Sequence, residues 1–293
     1  MVLAPTVSFE FFPPNNSKAE EQLWEVMKKL SPLGPAFFSV TYGAGGSTRS
    51  RTERLVERIH NFMPIAPAAH LTCVGASRIE IENLAHKFWN SGIKHIVALR
   101  GDPPKGELND NPPKNGFVNA AELVSGLRKI ADFEISVAGY PEMHPNSPNL
   151  AADIDNLKRK VDAGANRILT QYFFDNELFY RFRDAAVAAS ITIPIVPGIL
   201  PVTNFARVVE FSARCGTSVP AFMAKQFKGL DDDPETRALI AASTAIEQCE
   251  NLLANGVNEF HFYTLNRAAL TYAICWHLGM RPIKKNGPNA HAA

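Results

Sequence analysis

A single carboxylate, Glu10, stands in the apolar segment VSFEFFPP at residues 7 to 14. An apolar, poorly hydrated setting disfavours the ionised form of a carboxyl group, so its pKa rises toward neutrality. A carboxyl group that is protonated near neutral pH can donate a proton, and Glu10 is therefore a candidate general acid. The alternative is an ordinary glutamate at the end of a strand with its carboxylate in water.

Two further segments carry groups suited to binding. The glycine-rich segment TYGAGGSTRSRT at 41 to 52 precedes a predicted helix and offers backbone N–H groups and hydroxyls to anions or carbonyls. The segment ALRGDPP at 98 to 104 places Arg100 and Asp102 on a loop restricted by two prolines. The alternatives are a flexible loop with a helix cap in the first segment and a local ion pair in the second.

A predicted helix within residues 153 to 167 carries polar residues at helical spacing on one side, namely Asp153, Asn156, Arg159 and Lys160. This face suits phosphates and a ribityl or ribose chain, or it is an ordinary solvated face. In QYFFD at 171 to 175, Gln171 offers an amide beside aromatic rings, as a flat heterocycle requires. The alternative is a core glutamine bonded to backbone groups.

The elements that must position these residues alternate along the chain. Helical segments separate eight short runs rich in Val, Ile, Phe and Tyr, which lie near residues 7 to 12, 36 to 43, 68 to 75, 95 to 101, 134 to 140, 167 to 174, 192 to 200 and 259 to 265. Glycines near 92 and 164 are predicted to end two of the helices in the left-handed conformation.

Eight strand–helix units favour the α/β class and a (β/α)8 barrel of the TIM type. The runner-up, a doubly wound open sheet, is disfavoured because the first strand runs into Pro-Pro rather than a glycine-rich phosphate loop. Residues 201 to 258 are expected to add two or three helices, one over 235 to 255. We expect one domain over 1 to 293, with a flexible tail from about 283.

The net charge, the apolar segments and the number of cysteines limit the class of protein. Thirty basic and 29 acidic residues give a net charge of +1, so no overall field favours nucleic acid or an anionic membrane. No segment resembles a membrane span or a signal peptide, which predicts a cytoplasmic location. Four scattered cysteines predict no zinc site, and we expect no metal.

Nine ordered motifs together resemble the bacterial methylenetetrahydrofolate reductases over residues 7 to about 282. They read VSFEFFPP, FSVTYGAGGSTRSRT, HLTC, HIVALRGDPP, YPEMHP, NLKRKVDAGANRILTQYFFD, VPGILPVTNF, KGLDDDPETR and EFHFYTLNR.

The resemblance implies a reaction. Such enzymes bind FAD in a (β/α)8 barrel, take hydride from NADH or NADPH, and reduce 5,10-methylenetetrahydrofolate to 5-methyltetrahydrofolate in ping-pong order, which supplies methyl groups for methionine synthesis. Glu10 matches the general acid that protonates N10 of the folate, and Asp102 matches an aspartate that tunes the flavin.

The resemblance also implies binding residues and an assembly of two or four copies. Gln171, Phe211 and Arg267, with Glu10, match positions around the folate. Positions that match the FAD site are Thr41, His70, Arg100, Gly101, Asp102, Ala120, Tyr140, His144, Asp153, Asn156, Arg159 and Lys160. The alternatives are a flavin-independent, NADH-dependent reductase and a noncatalytic flavin- or folate-binding relative.

Overall fold

Eight parallel strands close into a barrel in chain order, each hydrogen-bonded to the next and β8 to β1. The computed structural model describes residues 4–43, 48–101 and 115–283. The strands are β1 (Thr6–Phe11), β2 (Phe38–Val40), β3 (Pro67–Thr72), β4 (His95–Leu99), β5 (Glu134–Gly139), β6 (Arg167–Tyr172), β7 (Ile195–Ile199) and β8 (Glu259–Tyr263). The predicted (β/α)8 barrel is confirmed, and the open sheet is excluded.

Helices surround the barrel between consecutive strands. They are α1 (Ser17–Leu30), α2 (Arg49–Phe62), α3 (Arg78–Asn90), α4 (Ala120–Ile130), α5 (Leu150–Asp162), α6 (Asn176–Ala188), α7 (Phe205–Cys215), α8 (Ala221–Phe227), α9 (Pro234–Ala254) and α10 (Ala269–His277), with a short 3₁₀ turn at Ser31–Leu33. Three of them, α7 to α9, fill the long interval before β8, which confirms the predicted insertion.

Local sequence signals set where the helices begin and end. Asn16, Asn119 and Asn149 each cap a helix by accepting a hydrogen bond from a backbone N–H of its first turn. At the C-terminal ends of α3 and α5, Gly92 and Gly164 have positive φ, as predicted from their positions. The asparagines fix where their helices leave the rim of the barrel, and the glycines fix where helices stop at its opposite end.

Side chains alternate across the wall of the barrel. Phe9 and Phe11 on β1 are fully buried and belong to the large core cluster between the sheet and the helices. Glu10 therefore points to the opposite face, which is the interior of the barrel. A small apolar layer fills part of that interior, formed by Phe37, Ala68, Val97, Leu169 and Val196.

The inserted helices cover one side of the rim. A separate apolar cluster joins the end of β6 to them through Tyr172, Val208, Met223, Phe227 and Ala241. Among the helices of the described segments, none has the length and apolar character needed to cross a membrane.

Candidate active site

Two adjoining cavities open at the C-terminal ends of the strands. One has a volume of about 480 Å³ and lies over β3 to β5. The other, of about 440 Å³, lies over β1, β2, β6 and β8. Both are lined by Tyr42, Leu99, Ala138 and Tyr140, so the two cavities meet along a common wall. We call the first the polar cavity and the second the aromatic cavity.

Glu10 lies at the base of the aromatic cavity between two histidines. Its Oε2 is 3.3 Å from Nε2 of His70 on β3 and 3.5 Å from Nε2 of His261 on β8. The Glu10 side chain is 16% exposed, and His261 is completely buried. Only Glu10 and His70 of these three side chains line the cavity. The alternative of a glutamate with its carboxylate in water is therefore excluded.

The expected rise in the pKa of Glu10 is wrong. Burial by itself raises this pKa, but the neighbouring imidazoles of His261 and His70 outweigh burial and lower it from 4.5 to about 2. The sequence expectation failed because alternation along β1 sends the rings of Phe9 and Phe11 to the other side of the sheet. The surroundings of the carboxylate are buried but polar.

Ser8 and His261 extend this cluster into the barrel, and neither was predicted as a site residue. Oγ of Ser8 lies 2.7 Å from Nδ1 of His261, whose other ring nitrogen faces Glu10. The ring of Phe37 stacks on His261 at 5.8 Å between centroids. The sequence did carry a signal for them. Side chains two residues apart on a strand share a face, so Ser8 lies on the same face as Glu10, and His261 on the same face as Tyr263.

Tyrosines and a phenylalanine form one wall of the aromatic cavity. Tyr263 donates its hydroxyl proton to Thr170 O at 2.7 Å, and burial raises its pKa well above the ordinary value. Phe211, which is 42% exposed, stacks on Tyr172 with 5.9 Å between ring centroids. Tyr263 therefore stays neutral at physiological pH, whereas Glu10 in the same cavity is ionised.

Gln171 lies at a register shift in the pairing of β6 with β7 and lines the aromatic cavity. Its Oε1 accepts a hydrogen bond from the N–H of Tyr172 at 3.0 Å. The structure therefore combines the two interpretations of Gln171, since one amide atom has a backbone partner while the side chain lies in the cavity wall.

The polar cavity is lined by two buried side chains of opposite charge, Asp153 and Lys160. Asp153 accepts hydrogen bonds from the backbone N–H of His144 and the hydroxyl of Ser147, both at 3.2 Å, and so holds the β5–α5 loop. Lys160 donates to Ala138 O at 2.6 Å. Burial lowers the pKa of Lys160 to about 8, although Asp153 opposes the shift.

The structure brings most of the predicted site residues together. The polar cavity is lined by Arg100, Gly101, Ala120, Tyr140, His144, Asp153, Asn156, Arg159 and Lys160, and the aromatic cavity by Glu10, Thr41, His70, Gln171 and Phe211. The predicted polar face of α5 is thus turned to the rim. Arg267 is exposed and lines neither cavity. Asp102 lies outside the described residues.

A closed barrel with a carboxyl–imidazole cluster beneath its rim and a second cavity with cationic groups beside it is typical of (β/α)8-barrel enzymes. Comparison with known proteins identifies the family. The family model for methylenetetrahydrofolate reductase matches residues 3–279. The chain therefore belongs to the methylenetetrahydrofolate reductase family, which is a family of oxidoreductases.

Individual relatives agree with this assignment. The 5,10-methylenetetrahydrofolate reductase of Escherichia coli is 50% identical over 94% of this chain and 91% of its own length. That of Pectobacterium carotovorum is 51% identical over the same shares. Methylenetetrahydrofolate reductase (NADH) 1 of Arabidopsis thaliana is 37% identical over 93% of this chain and 48% of its own.

A solved structure shares the fold. An uncharacterized protein from Clostridium thermocellum, which binds two copies of 5-methyl-5,6,7,8-tetrahydrofolic acid, matches with a TM-score of 0.64 over 94% of each chain. The sequence identity is 14%, so this similarity supports the barrel fold alone.

Proposed function

We propose that this protein reduces 5,10-methylenetetrahydrofolate to 5-methyltetrahydrofolate with electrons from NADH or NADPH, using FAD as the bound cofactor. Membership of the family and the printed activity of the bacterial relatives support the reaction. The observation that carries the proposal is the position of Glu10, which lies at the base of an aromatic-walled cavity next to a second cavity with cationic groups.

The residues of the two cavities fit FAD. Nε2 of His70 is buried at the base of the aromatic cavity, and its 3.3 Å contact with Oε2 of Glu10 lacks the geometry of a hydrogen bond, so within the described residues it has capacity for a ligand atom. Arg159 and Lys160 on α5 supply cationic groups in the adjoining cavity. When bound, FAD would accept hydride from the nicotinamide nucleotide and pass it to the folate.

Different residues of the polar cavity would bind different parts of FAD. Arg159 and Lys160 would bind the diphosphate, and Asn156 would bind the ribityl hydroxyls. Tyr140 and His144, whose rings meet edge to face at 4.6 Å, would hold the isoalloxazine in place. The remaining FAD-binding residues that line the cavities are proposed to be Thr41, His70, Arg100, Gly101, Ala120 and Asp153.

The aromatic cavity would receive the pterin of the folate. Gln171 would hydrogen-bond the edge of the ring, while Phe211, supported by Tyr172, would cover its face. NADH would use the same place before the folate, because both substrates must reach one hydride carrier. Roles for Asp102 near the flavin and for Arg267 near the substrates stay predictions, as do the assembly of two or four copies and the role in methionine synthesis.

Proton delivery is proposed to involve the histidines as well as Glu10. With a pKa of about 2, Glu10 is ionised in the ligand-free protein at neutral pH. The two ring nitrogens of His261 contact Ser8 and Glu10, so this imidazole can accept a proton on one side and release it on the other. Bound rings would exclude water from Glu10 and raise its pKa, so that a proton from the cluster reaches N10 of the folate through the Glu10 carboxyl group.

The experiment that tests this function is a spectrum followed by an anaerobic titration. Purified protein is expected to show flavin absorbance that is bleached by NADH or NADPH and restored by 5,10-methylenetetrahydrofolate. Colourless protein that still reduces the folate would identify a flavin-independent reductase. Coloured protein whose reduced flavin is not reoxidised by 5,10-methylenetetrahydrofolate would identify a noncatalytic relative. Either result would overturn the proposal.

A further inference from the structure

The turn that follows β8 has two consecutive residues in the left-handed conformation, and neither is glycine. Leu265 has φ of 50° and Asn266 has φ of 55°. Asparagine tolerates this region, but for most L-residues it costs roughly 1–2 kcal/mol. Strain of this kind persists where the surrounding contacts require it.

The side chain of Asn266 binds both backbone groups of Phe12. Its Oδ1 accepts from the N–H of Phe12 at 3.0 Å, and its Nδ2 donates to the carbonyl of Phe12 at 2.9 Å. In the same turn, the hydroxyl of Thr264 donates to the carbonyl of Glu10 at 2.7 Å. The turn thus holds the chain on both sides of Phe11.

These contacts lie where regular pairing of the two strands ends. The ladder between β1 and β8 extends to Glu10 and Tyr263. Pro13 and Pro14 follow Phe12 and have no backbone N–H with which to extend it. The amide of Asn266 therefore replaces a strand neighbour for Phe12, and the left-handed backbone is what aims the amide at it.

The two residues on either side of Phe11 face the same cavity. Glu10 and Phe12 share one face of the strand, and both line the aromatic cavity together with Leu265. A shift of the Phe12 backbone would move Phe12 directly and would reach Glu10 through the intervening residue, Phe11. The two hydrogen bonds from Asn266 therefore fix the place of the proposed acid relative to the substrate.

We propose that Asn266 is a positioning residue that sets the geometry of proton delivery by Glu10 without touching the substrate. The inference rests on the proposed function of Glu10. It predicts that loss of the amide slows flavin reoxidation by 5,10-methylenetetrahydrofolate and leaves flavin reduction by NADH unchanged. A residue that served only the stability of the turn would not separate the two half-reactions.

Asn266→Gly is the decisive variant, because glycine adopts the left-handed conformation freely, so the side chain with its amide is removed without adding backbone strain. We expect normal FAD content, an unchanged rate of reduction by NADH, and a folate half-reaction slower by about 10- to 100-fold, as misplacement by roughly 1 Å can cause. Asn266→Asp keeps an acceptor for the Phe12 N–H but has no donor for its carbonyl, so an intermediate rate is expected.

Ser190→Gly is the matched control. Ser190 also has a positive φ, of 60°, but it is exposed and follows α6 at the opposite end of the barrel. The rates of both half-reactions in Ser190→Gly should equal those of the wild type. If Asn266→Gly does not fold, the same two half-reaction rates measured in Asn266→Asp test the inference.

Two results separate the inference from the function on which it rests. A wild-type folate rate in the folded Asn266 variant, with Glu10→Gln inactive in that half-reaction, would overturn the inference alone. A wild-type protein that does not reoxidise with the folate would overturn the proposed function itself.

Discussion

Nε2 of His70 lies 3.3 Å from Oε2 of Glu10, although the two residues belong to strands that are not neighbours in the barrel. The contact crosses the interior, and His261 approaches the same oxygen from β8 at 3.5 Å. The ionisation of Glu10 is therefore set by side chains that meet only when the barrel closes. This dependence connects the stability of the barrel to the state of its proposed acid.

The first prediction concerns stability against pH. The pKa of Glu10 is lowered from 4.5 to about 2 on folding, so the unfolded chain binds the proton more tightly. The stabilising contribution is complete above about pH 4.5 and is lost as the pH falls toward 2. By linkage it is on the order of 3 kcal/mol.

Denaturant unfolding of the wild type and of Glu10→Gln, compared from about pH 3 to pH 7, measures this contribution. The difference in unfolding free energy should shrink as the pH falls. Glu25→Gln is the control, because Glu25 is 71% exposed in a surface pair with Lys28. A difference between wild type and Glu10→Gln that does not change with pH would contradict the account.

The second prediction concerns Lys160 and FAD. Its pKa of about 8 in the ligand-free protein means that its positive charge is lost in mildly alkaline solution. FAD should therefore bind more weakly above about pH 8. Lys160→Met should weaken binding by about 10- to 100-fold, the loss expected for one charged hydrogen bond, and should remove this part of the pH dependence.

Fluorescence titration of the ligand-free protein with FAD provides the measurement. Lys158→Met on the same helix is the control, because Lys158 pairs with Asp162 and lies outside the polar cavity. Equal effects of the two substitutions would show that Lys160 does not bind the diphosphate.

The third prediction concerns Gly101, which has φ of 87° in the wall of the polar cavity. A Cβ atom there would lie 2.8 Å from Cβ of Thr72. Gly101→Ala adds this clash to the cost of a left-handed alanine, and together they should destabilise the protein by about 2–4 kcal/mol and lower its FAD content.

Gly256→Ala isolates the cost of the conformation. Gly256 has a similar φ of 82°, and a Cβ atom there has no atom of the described residues within 4 Å. Thermal unfolding of both variants should place Gly101→Ala well below Gly256→Ala. Equal unfolding midpoints of the two variants would contradict the prediction, because they would mean that the Thr72 side chain moves aside without loss of stability.

Periodicity made much of the site predictable. Asn156, Arg159 and Lys160 were expected on one face because helical spacing alone brings them together, and the fold turns that face toward the rim. Strand ends such as Tyr140 were expected at the rim because a closed parallel barrel places all of them at one end. The first argument uses only the spacing along one helix, and the second uses only the topology of the barrel.

The surroundings of Glu10 were not predictable in the same way. His261 is 251 residues from Glu10, and their contact depends on strand register and barrel closure rather than on neighbours in the chain. The apolar neighbours of Glu10 in sequence pointed to the wrong environment, because a strand turns adjacent side chains to opposite faces. Arg267 follows β8 closely, yet the turn leaves its side chain exposed.

The most direct test of the central claim separates the two half-reactions in Glu10→Gln, which keeps the shape of the side chain but carries no acidic proton. Stopped-flow absorbance is expected to show flavin reduction by NADH at the wild-type rate and reoxidation by 5,10-methylenetetrahydrofolate slowed by at least about 100-fold, the loss typical of a general acid. Reoxidation at the wild-type rate would contradict the claim that Glu10 delivers the proton.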